Sequence, residues 1–599
     1  MQSAQTVLSM LKQKSKQDET YTFERLYRNL FNETFFLRAY QKLYPKEGNM
    51  TPGIDNTTID GFSKQTILKL IELLKEEHYW PKPSRRTYIP KKNGKLRPLG
   101  IPCFEDKLVQ EVIREILEAI YEPIFCECSH GFRPNRSCHT ALNQIKRKSR
   151  GATWAIEGDI TRCFENIDHD ILINLLSKKI DDGRLLVLIQ RFLEAGYFEF
   201  KVVHNSLSGT PQGNGLSPIL ANIYLHTFDL YLEELSKQYS KGTEKHRNPL
   251  YKQLISQRQK AIRQGDKAKA MQVLKQMQTI PSANPMDELF IRVHGCRYAD
   301  DFLVCVTGSR ALACEIKEKL GDFLKQTLKL ELNQEKTSIT NLAKTRVRFL
   351  GYELSKSQCN TKLTKDRHGH KRRSINGNIQ LLVPGQVIRD KLEPFRIGCK
   401  PYPCKARSNL SIREIFDMYN AEIRGLYEYY CLATDVSKKL TRFKYFHYGS
   451  LLKTIAGKER SSVMAVVCKY GVVVPRRQGT GVKRIIGVQY ETKAGSKTMT
   501  YFDEPLVWVK YPPVKLLDFF GPLLGGGHLL KRFRACVCEL CGSSDGVVVH
   551  HVRKLKEVKQ RYCRQGKMPP VWAATMLKIR RKTLVVCHSC HAEIHSVKL

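Results

Sequence analysis

Two groups of residues have types and spacings that plain packing does not call for. The first is Tyr298-Ala299-Asp300-Asp301, set between apolar β-type residues in CRYADDFLVCV. That pattern predicts strand, tight turn, strand, with two carboxylates at the tip. Adjacent aspartates repel each other, and a turn alone is served as well by Asp-Gly. Hard carboxylate oxygens are what Mg²⁺ selects, and the cation removes the repulsion. Asp159, at the end of the apolar run WAIEGD, is another strand-end carboxylate. Carboxylates gathered from separate strands can hold two Mg²⁺ ions, one activating an attacking hydroxyl and one steadying a leaving pyrophosphate.

The second group lies in residues 536–599: Cys538-x-x-Cys541, His550-His551, Cys587-x-x-Cys590-His591 and His595. Two CxxC pairs predict a closed, four-thiolate Zn²⁺ site. In a segment this small the metal compensates for a thin core. The histidines are surplus to zinc, and that surplus points to catalysis.

The flanking pattern says which elements position these groups. FERLYRNLFNETFFLRAYQKLY, ILKLIELLKEEHYW and DKLVQEVIREILEAIYEPIF have helical apolar spacing. RRTYIPKKNGKLRPLGIP reads as a hairpin with an Asn-Gly turn and a basic tip. Helices and short strands alternate without a regular βαβ period, so an α+β multidomain chain is expected. A helix is expected to end at Leu225. The insertion at 236–282 then carries eleven basic and two acidic residues at helical spacing. It reads as either a solvated helical hairpin or an RNA-contacting arm. Beyond residue 380 the chain becomes more helical and aromatic. Pro and Gly cluster at 511–527, marking a boundary before the Cys/His segment.

The 599 residues carry 100 Lys and Arg against 58 Asp and Glu, a formal net charge of +42. A surface this positive repels itself unless a polyanion neutralises it, which points to nucleic acid as partner. No apolar run is long enough to span a membrane. The first twenty residues lack a signal-peptide pattern, and the 19 cysteines read as reduced thiols. A cytoplasmic protein follows, one that joins the nucleoid when it acts on DNA.

The order of the motifs resembles that of reverse transcriptases. In that family the first palm motif is matched by GDITRCFENIDH and the second by YADD. The resemblance makes Asp159, Asp300 and Asp301 the catalytic carboxylates, with Asp159 and Asp300 the principal Mg²⁺ ligands. Lys91 and Arg97 of IPKKNGKLRPLGIP match the cations that grip the incoming dNTP. Phe164 matches the steric gate against a 2′-hydroxyl, and Gln212 of SGTPQGNGLSP lies in the nucleotide pocket. Lys336 matches a lysine near the triphosphate, and RFLGY at 348–352 the primer grip.

SHGFRPNRSCHTAL at 129–142 and NAEIRGLYEYYCLA are similar to the group II intron-encoded class. That class implies a right-hand polymerase of fingers and palm at 1–380 and an α-helical thumb/maturase domain at 381–505. A DNA-binding linker at 506–535 and an HNH endonuclease with a zinc-stabilised ββα-metal fold at 536–599 complete it. In the thumb, Arg413, Arg424, Lys438, Arg442 and Lys444 would face phosphates, while Tyr419, Tyr427, Tyr429 and Tyr430 pack or stack. In the HNH domain the resemblance makes His551 the general base and His550 and His595 ligands of Mg²⁺ or a similar ion. His591 is a further ligand. The asparagine that orients the base in that family is missing. Lys582 and Thr583 stand in LKIRRKTLVVC, and the threonine hydroxyl is the substitute. A zinc ribbon that only binds DNA is the alternative for this segment.

The function implied is binding of a group II intron RNA, aid to its splicing, nicking of target DNA, and target-primed copying of the RNA into cDNA. A homodimer is among the allowed assemblies. A splicing-only maturase, a reverse transcriptase of a retron or defence system, and a non-enzymatic RNA-packaging protein are the other readings.

Overall fold

The computed structural model describes residues 2–90, 94, 96–199, 202–204, 215–284, 287–359, 362–365, 368–369, 371–373, 375–477, 480–492, 495–512, 527–563 and 568–596. Its centre is a four-stranded antiparallel sheet in the order Ser338–Asn341, Trp154–Asp159, Asp301–Thr307, Arg292–Tyr298. The strand Asp301–Thr307 is apolar at nearly every position because both of its faces are covered. Its alternation splits the molecule's interior in two. Phe302, Val304 and Val306 enter one core, and Leu303 and Cys305 enter the other.

The first core is helical. Its central helix, Phe104–Tyr121, is buried almost all round. Its acids are answered locally, Glu111 and Glu118 by Arg114 and Glu115 by Arg38. Ala4–Gln17 and Glu33–Leu43 pack on it, and Arg310–Leu328 joins the same core. The helix expected to stop at Leu225 runs from Ser217 to Tyr239. Phe228, Leu232 and Leu235 continue its buried stripe, so the apolar face carries it past that point.

The basic insertion is the helical pair Pro249–Arg263 and Lys267–Thr279. The pair buries only Ala261, Val273 and Met277. Arg373 donates to the carbonyls of Met277, Gln278 and Ile280 at its C-terminal end. A second sheet runs Leu96–Ile101, Ser84–Pro90, Tyr197–Glu199, Val202–His204, the first two strands being the expected basic hairpin.

The second core joins the lower face of the central sheet to the helices Ile412–Tyr430 and Val436–Lys458. The first of these starts in a capping box, Ser411 with Glu414. Trp508 hydrogen-bonds the carbonyl of Leu432 and ties the chain at 506–512 to this body.

The Cys/His segment has its own small core, with Trp572, Met576, Leu584 and Val586 at its centre. Its antiparallel strand pair Val547–His551 and Thr583–Cys587, with the helices Leu555–Tyr562 and Val571–Ile579 between the strands in sequence, packs with the helix His588–Ser596 as ββα. The segment does not stand apart. Phe62–Ser63 pairs with Val548–Val549 and makes the sheet three-stranded. The helix Gly527–Arg534 packs beside it, with Arg532 bonded to Glu539 and Thr583 and with Leu529 and Phe533 in the first core. No helix among the described residues is long and apolar enough to cross a membrane.

Candidate active sites

The hairpin Arg292–Tyr298/Asp301–Thr307 turns through Ala299 and Asp300, with Ala299 in the left-handed region at φ 58°. Asp301 lies directly across from Asp159 on the neighbouring strand. Three carboxylates thus meet at one sheet edge. Burial, then the charge of Asp159, raises the pKa of Asp300. Loss of solvent and the charges of Asp300 and Asp159 push Asp301 up to about 7. Such mutual repulsion is what a divalent cation relieves, and the all-oxygen donor set fits Mg²⁺. Lys336 already supplies one positive charge here. Its Nζ lies 2.7 Å from Asp159 Oδ2, and Asn333 donates to the same oxygen at 3.2 Å.

The expected nucleotide-binding residues divide. Arg97 is exposed on the strand Leu96–Ile101, and its charge acts on Asp300. Phe164 sits in a short 3₁₀ turn after Asp159, edge-on to Phe132 at 6.2 Å. Lys336 contacts the carboxylates rather than standing off them. Lys91 and Gln212 lie outside the described residues.

The turn has a support that motif reading missed. Arg297, fully buried, forms a bidentate pair with Asp229 at 2.6 Å and donates to the Ala299 carbonyl at 2.9 Å. Its Nη2 also reaches Ser129 Oγ at 2.8 Å. Gly131 presses on the same turn, and a Cβ there would lie 2.3 Å from the Ala299 nitrogen. The SHGF motif therefore braces the aspartate hairpin. Gly158 is equally constrained, because a Cβ would sit inside the Phe302 ring. An arginine one residue before YADD was the only signal of the pair; Asp229 carries none.

The turn at Leu350-Gly351 in RFLGY is held by the helix Ile412–Tyr430. Tyr429 donates to the Leu350 carbonyl at 2.9 Å and Tyr430 to that of Gly351 at 3.0 Å. Tyr419 is buried with its hydroxyl on Ser450 and Thr454, and Tyr427 bonds the Val507 carbonyl. All four tyrosines pack here. Arg424, Lys438 and Arg442 are exposed, while Arg413 stacks on Tyr490 and Lys444 lies over Tyr501 and Phe502.

In the Cys/His segment, Cys538, Cys541, Cys587 and Cys590 bring their sulfurs within 4.8 Å of one another. That is a closed thiolate set of the kind zinc takes. A second set lies beside it: His550, His591 and His595 with Asp60, again within 4.8 Å. His550 is buried. Its Nδ1 faces Asp60 Oδ1 at 3.1 Å. His551 is not in that set. Its Nε2 is 2.6 Å from the Tyr40 hydroxyl, and burial lowers its pKa to about 4, leaving a neutral imidazole. Thr583 does not orient His551. Its hydroxyl accepts from Arg532 at 2.9 Å, and Lys582 pairs with Glu47. His551 and Thr583 are paired across the two strands, but the Nε2 partner of His551 is Tyr40 of the Glu33–Leu43 helix.

Family models cover most of the chain. Residues 89–354 match reverse transcriptase (RNA-dependent DNA polymerase), 384–506 match type II intron maturase, and 538–591 match AI2M/AI1M-like, HNH endonuclease. The chain is 39% identical over 624 residues to the group II intron-encoded protein LtrA of Lactococcus lactis subsp. cremoris, covering 99% of each. It is 34% identical to a 91 kDa protein in cob intron of Schizosaccharomyces pombe, covering all of this chain and 73% of that one.

Proposed function

The chain belongs to the group II intron-encoded proteins, an RNA-directed DNA polymerase and maturase joined to an HNH endonuclease, and we propose how its residues divide that work. Asp159, Asp300 and Asp301 form the polymerising centre. Two Mg²⁺ ions bound by them would supply Lewis-acid stabilisation of the 3′-oxygen and the pyrophosphate. The chain's own contribution is placement. The rigid hairpin, clamped by Arg297 and Gly131, fixes the carboxylates before substrate arrives. Arg97, exposed on the fingers hairpin, and Lys91, by its place in the motif, would bind the triphosphate. Lys336 pairs with Asp159, and with Mg²⁺ on the carboxylates it would be free to bind the triphosphate.

The intron RNA is both splicing client and template. Exposed cations of the two thumb helices and of the insertion hairpin hold its phosphates. Tyr429 and Tyr430 hold the primer-grip turn against the thumb, so RNA contact on this helix runs through charge more than stacking. In the endonuclease, Zn²⁺ on the four cysteines would hold the fold, and a divalent cation on His550, His591 and His595 would stabilise the scissile phosphate. His551 then takes the proton of the attacking water. With the ring proton on Nε2, donated to Tyr40, Nδ1 keeps the lone pair a base needs.

The observation that carries the reading is the cross-strand pairing of Asp301 with Asp159 beneath a two-aspartate turn. Primer extension on an RNA template with a DNA primer, dNTPs and Mg²⁺ tests it. The parent is expected to make cDNA, and Asp300→Ala to lose about 1000-fold, the worth of several kcal/mol of charge stabilisation. If neither extends while both bind group II intron RNA, the splicing-only reading replaces this one.

A further inference from the structure

Three imidazoles from the Cys/His segment make an incomplete site for a hard cation. Imidazole suits zinc, copper and nickel, whereas Mg²⁺ and Mn²⁺ favour carboxylate oxygen. The segment's own acidic residues do not join the set; the carboxylate in it is Asp60, from the far end of the chain.

Asp60 is placed firmly. It immediately precedes Gly61 and the strand Phe62–Ser63, which adds to the endonuclease strand pair. Its Oδ1 accepts the His551 backbone N–H at 2.6 Å and lies 3.1 Å from His550 Nδ1 and 3.4 Å from His591 Nε2. Its Oδ2 contacts His595 Nε2 at 2.8 Å. Gly61, at φ 80°, carries the chain over His591, whose Cε1 lies 3.5 Å from where a Cβ would be. Phe62 stacks on Tyr40 at 3.8 Å and leans on Phe533, anchoring the loop from below. The loop therefore delivers one carboxylate to three imidazoles, of which His550 is buried, His591 half-buried and His595 exposed. His550 is the buried member of the set, and its Nδ1 is the atom that faces Asp60.

We propose that Asp60 is a ligand of the endonuclease's divalent cation, so that this metal site is split between the polymerase's N-terminal region and the HNH domain. The inference rests on the HNH reading and deepens it. Four protein donors on an octahedral ion leave two positions for a water and a phosphate oxygen, enough for hydrolysis. The nuclease is then assembled only while the two domains are docked, and cation binding in turn strengthens the docking.

The test uses the full-length protein with Asp300→Ala as background, so that Mn²⁺ binding at the palm is quieted. Free Mn²⁺ is followed by electron paramagnetic resonance. Asp60→Ala is expected to weaken the remaining site at least tenfold. Asp60→Asn keeps an acceptor for the His551 N–H and is expected to weaken it similarly. Hydrogen exchange supplies the second readout: in the parent, Mn²⁺ slows residues 60–63 and 547–551 together, and in Asp60→Asn the two uncouple. Unchanged Mn²⁺ affinity in both Asp60 variants, with loss in His550→Ala, overturns the proposal and leaves a three-histidine site. Unchanged affinity in His550→Ala as well would mean that the HNH reading itself is wrong. Faster DNA nicking by Asp60→Asn also overturns it, since Asp60 would then be occupying the substrate's place.

Discussion

The palm and the endonuclease both gather acidic or imidazole side chains around a cation's place, but they are built in opposite ways. The palm takes its carboxylates from one hairpin and the strand beside it, all in one sheet. The endonuclease cluster spans side chains up to 535 residues apart, held by a strand that crosses between domains. The palm's groups repel one another at rest, whereas the histidines already face a carboxylate. A site that must admit a succession of nucleotides stays open and under-neutralised. A site that cuts once per target can be made conditional on assembly. The palm accordingly buys rigidity from buried groups behind it, and the endonuclease from the docking of a neighbour.

The sharpest way to break this contrast is to attack the palm's support. Replacing Arg297 by Met leaves Asp229 buried and unpaired, a loss of about 3–5 kcal/mol. Urea unfolding should show the polymerase transition moving to lower denaturant, with the HNH transition following by a smaller amount because the two regions are docked. An equal shift of both would mean the two regions fold as one unit. Gly131→Ala is a smaller insult, about 1–3 kcal/mol of overpacking against the Ala299 backbone. Primer extension should fall while DNA nicking by the same preparation does not.

Tyr40→Phe probes the other side. Losing the contact to His551 removes about 0.5–1.5 kcal/mol. Nicking should drop up to roughly tenfold with a displaced pH profile, and primer extension should be unchanged. An unmoved pH profile would mean Tyr40 only packs. The smallest effect is electrostatic. The folded palm holds a proton on Asp301 up to about pH 7, while an unfolded aspartate releases it near pH 4. Between those values the folded state binds more protons, so stability falls as pH rises. Without divalent cations the parent should lose stability relative to Asp301→Asn as pH rises from about 4 to about 7, and Mg²⁺ should cancel the difference.

What the sequence revealed follows the same contrast. The strand, turn and strand around YADD are local and could be read from spacing, whereas the two strands and helix of the Cys/His segment came from its resemblance to HNH endonucleases, since the helices Leu555–Tyr562 and Val571–Ile579 separate the strands. The helix end at Leu225 was misplaced because its buried stripe continues through Phe228, Leu232 and Leu235 without a breaker. Arg297 with Asp229, Gly131 against Ala299, and Tyr40 and Asp60 beside the histidines are long-range contacts between unremarkable residues. Asp60 in the run TTIDGFS looks like an ordinary turn aspartate. The substitution of Tyr40 for Thr583 beside His551 was hidden for the same reason: the partner lies in another domain.

One measurement tests the account most directly. Primer extension and DNA nicking are assayed on the same preparations of the parent, Asp300→Ala and Asp60→Ala. The account predicts a double dissociation, with Asp300→Ala losing extension and keeping nicking, and Asp60→Ala the reverse. If Asp60→Ala nicks as the parent does, or if Asp300→Ala still extends the primer, the account of two differently built metal sites is contradicted.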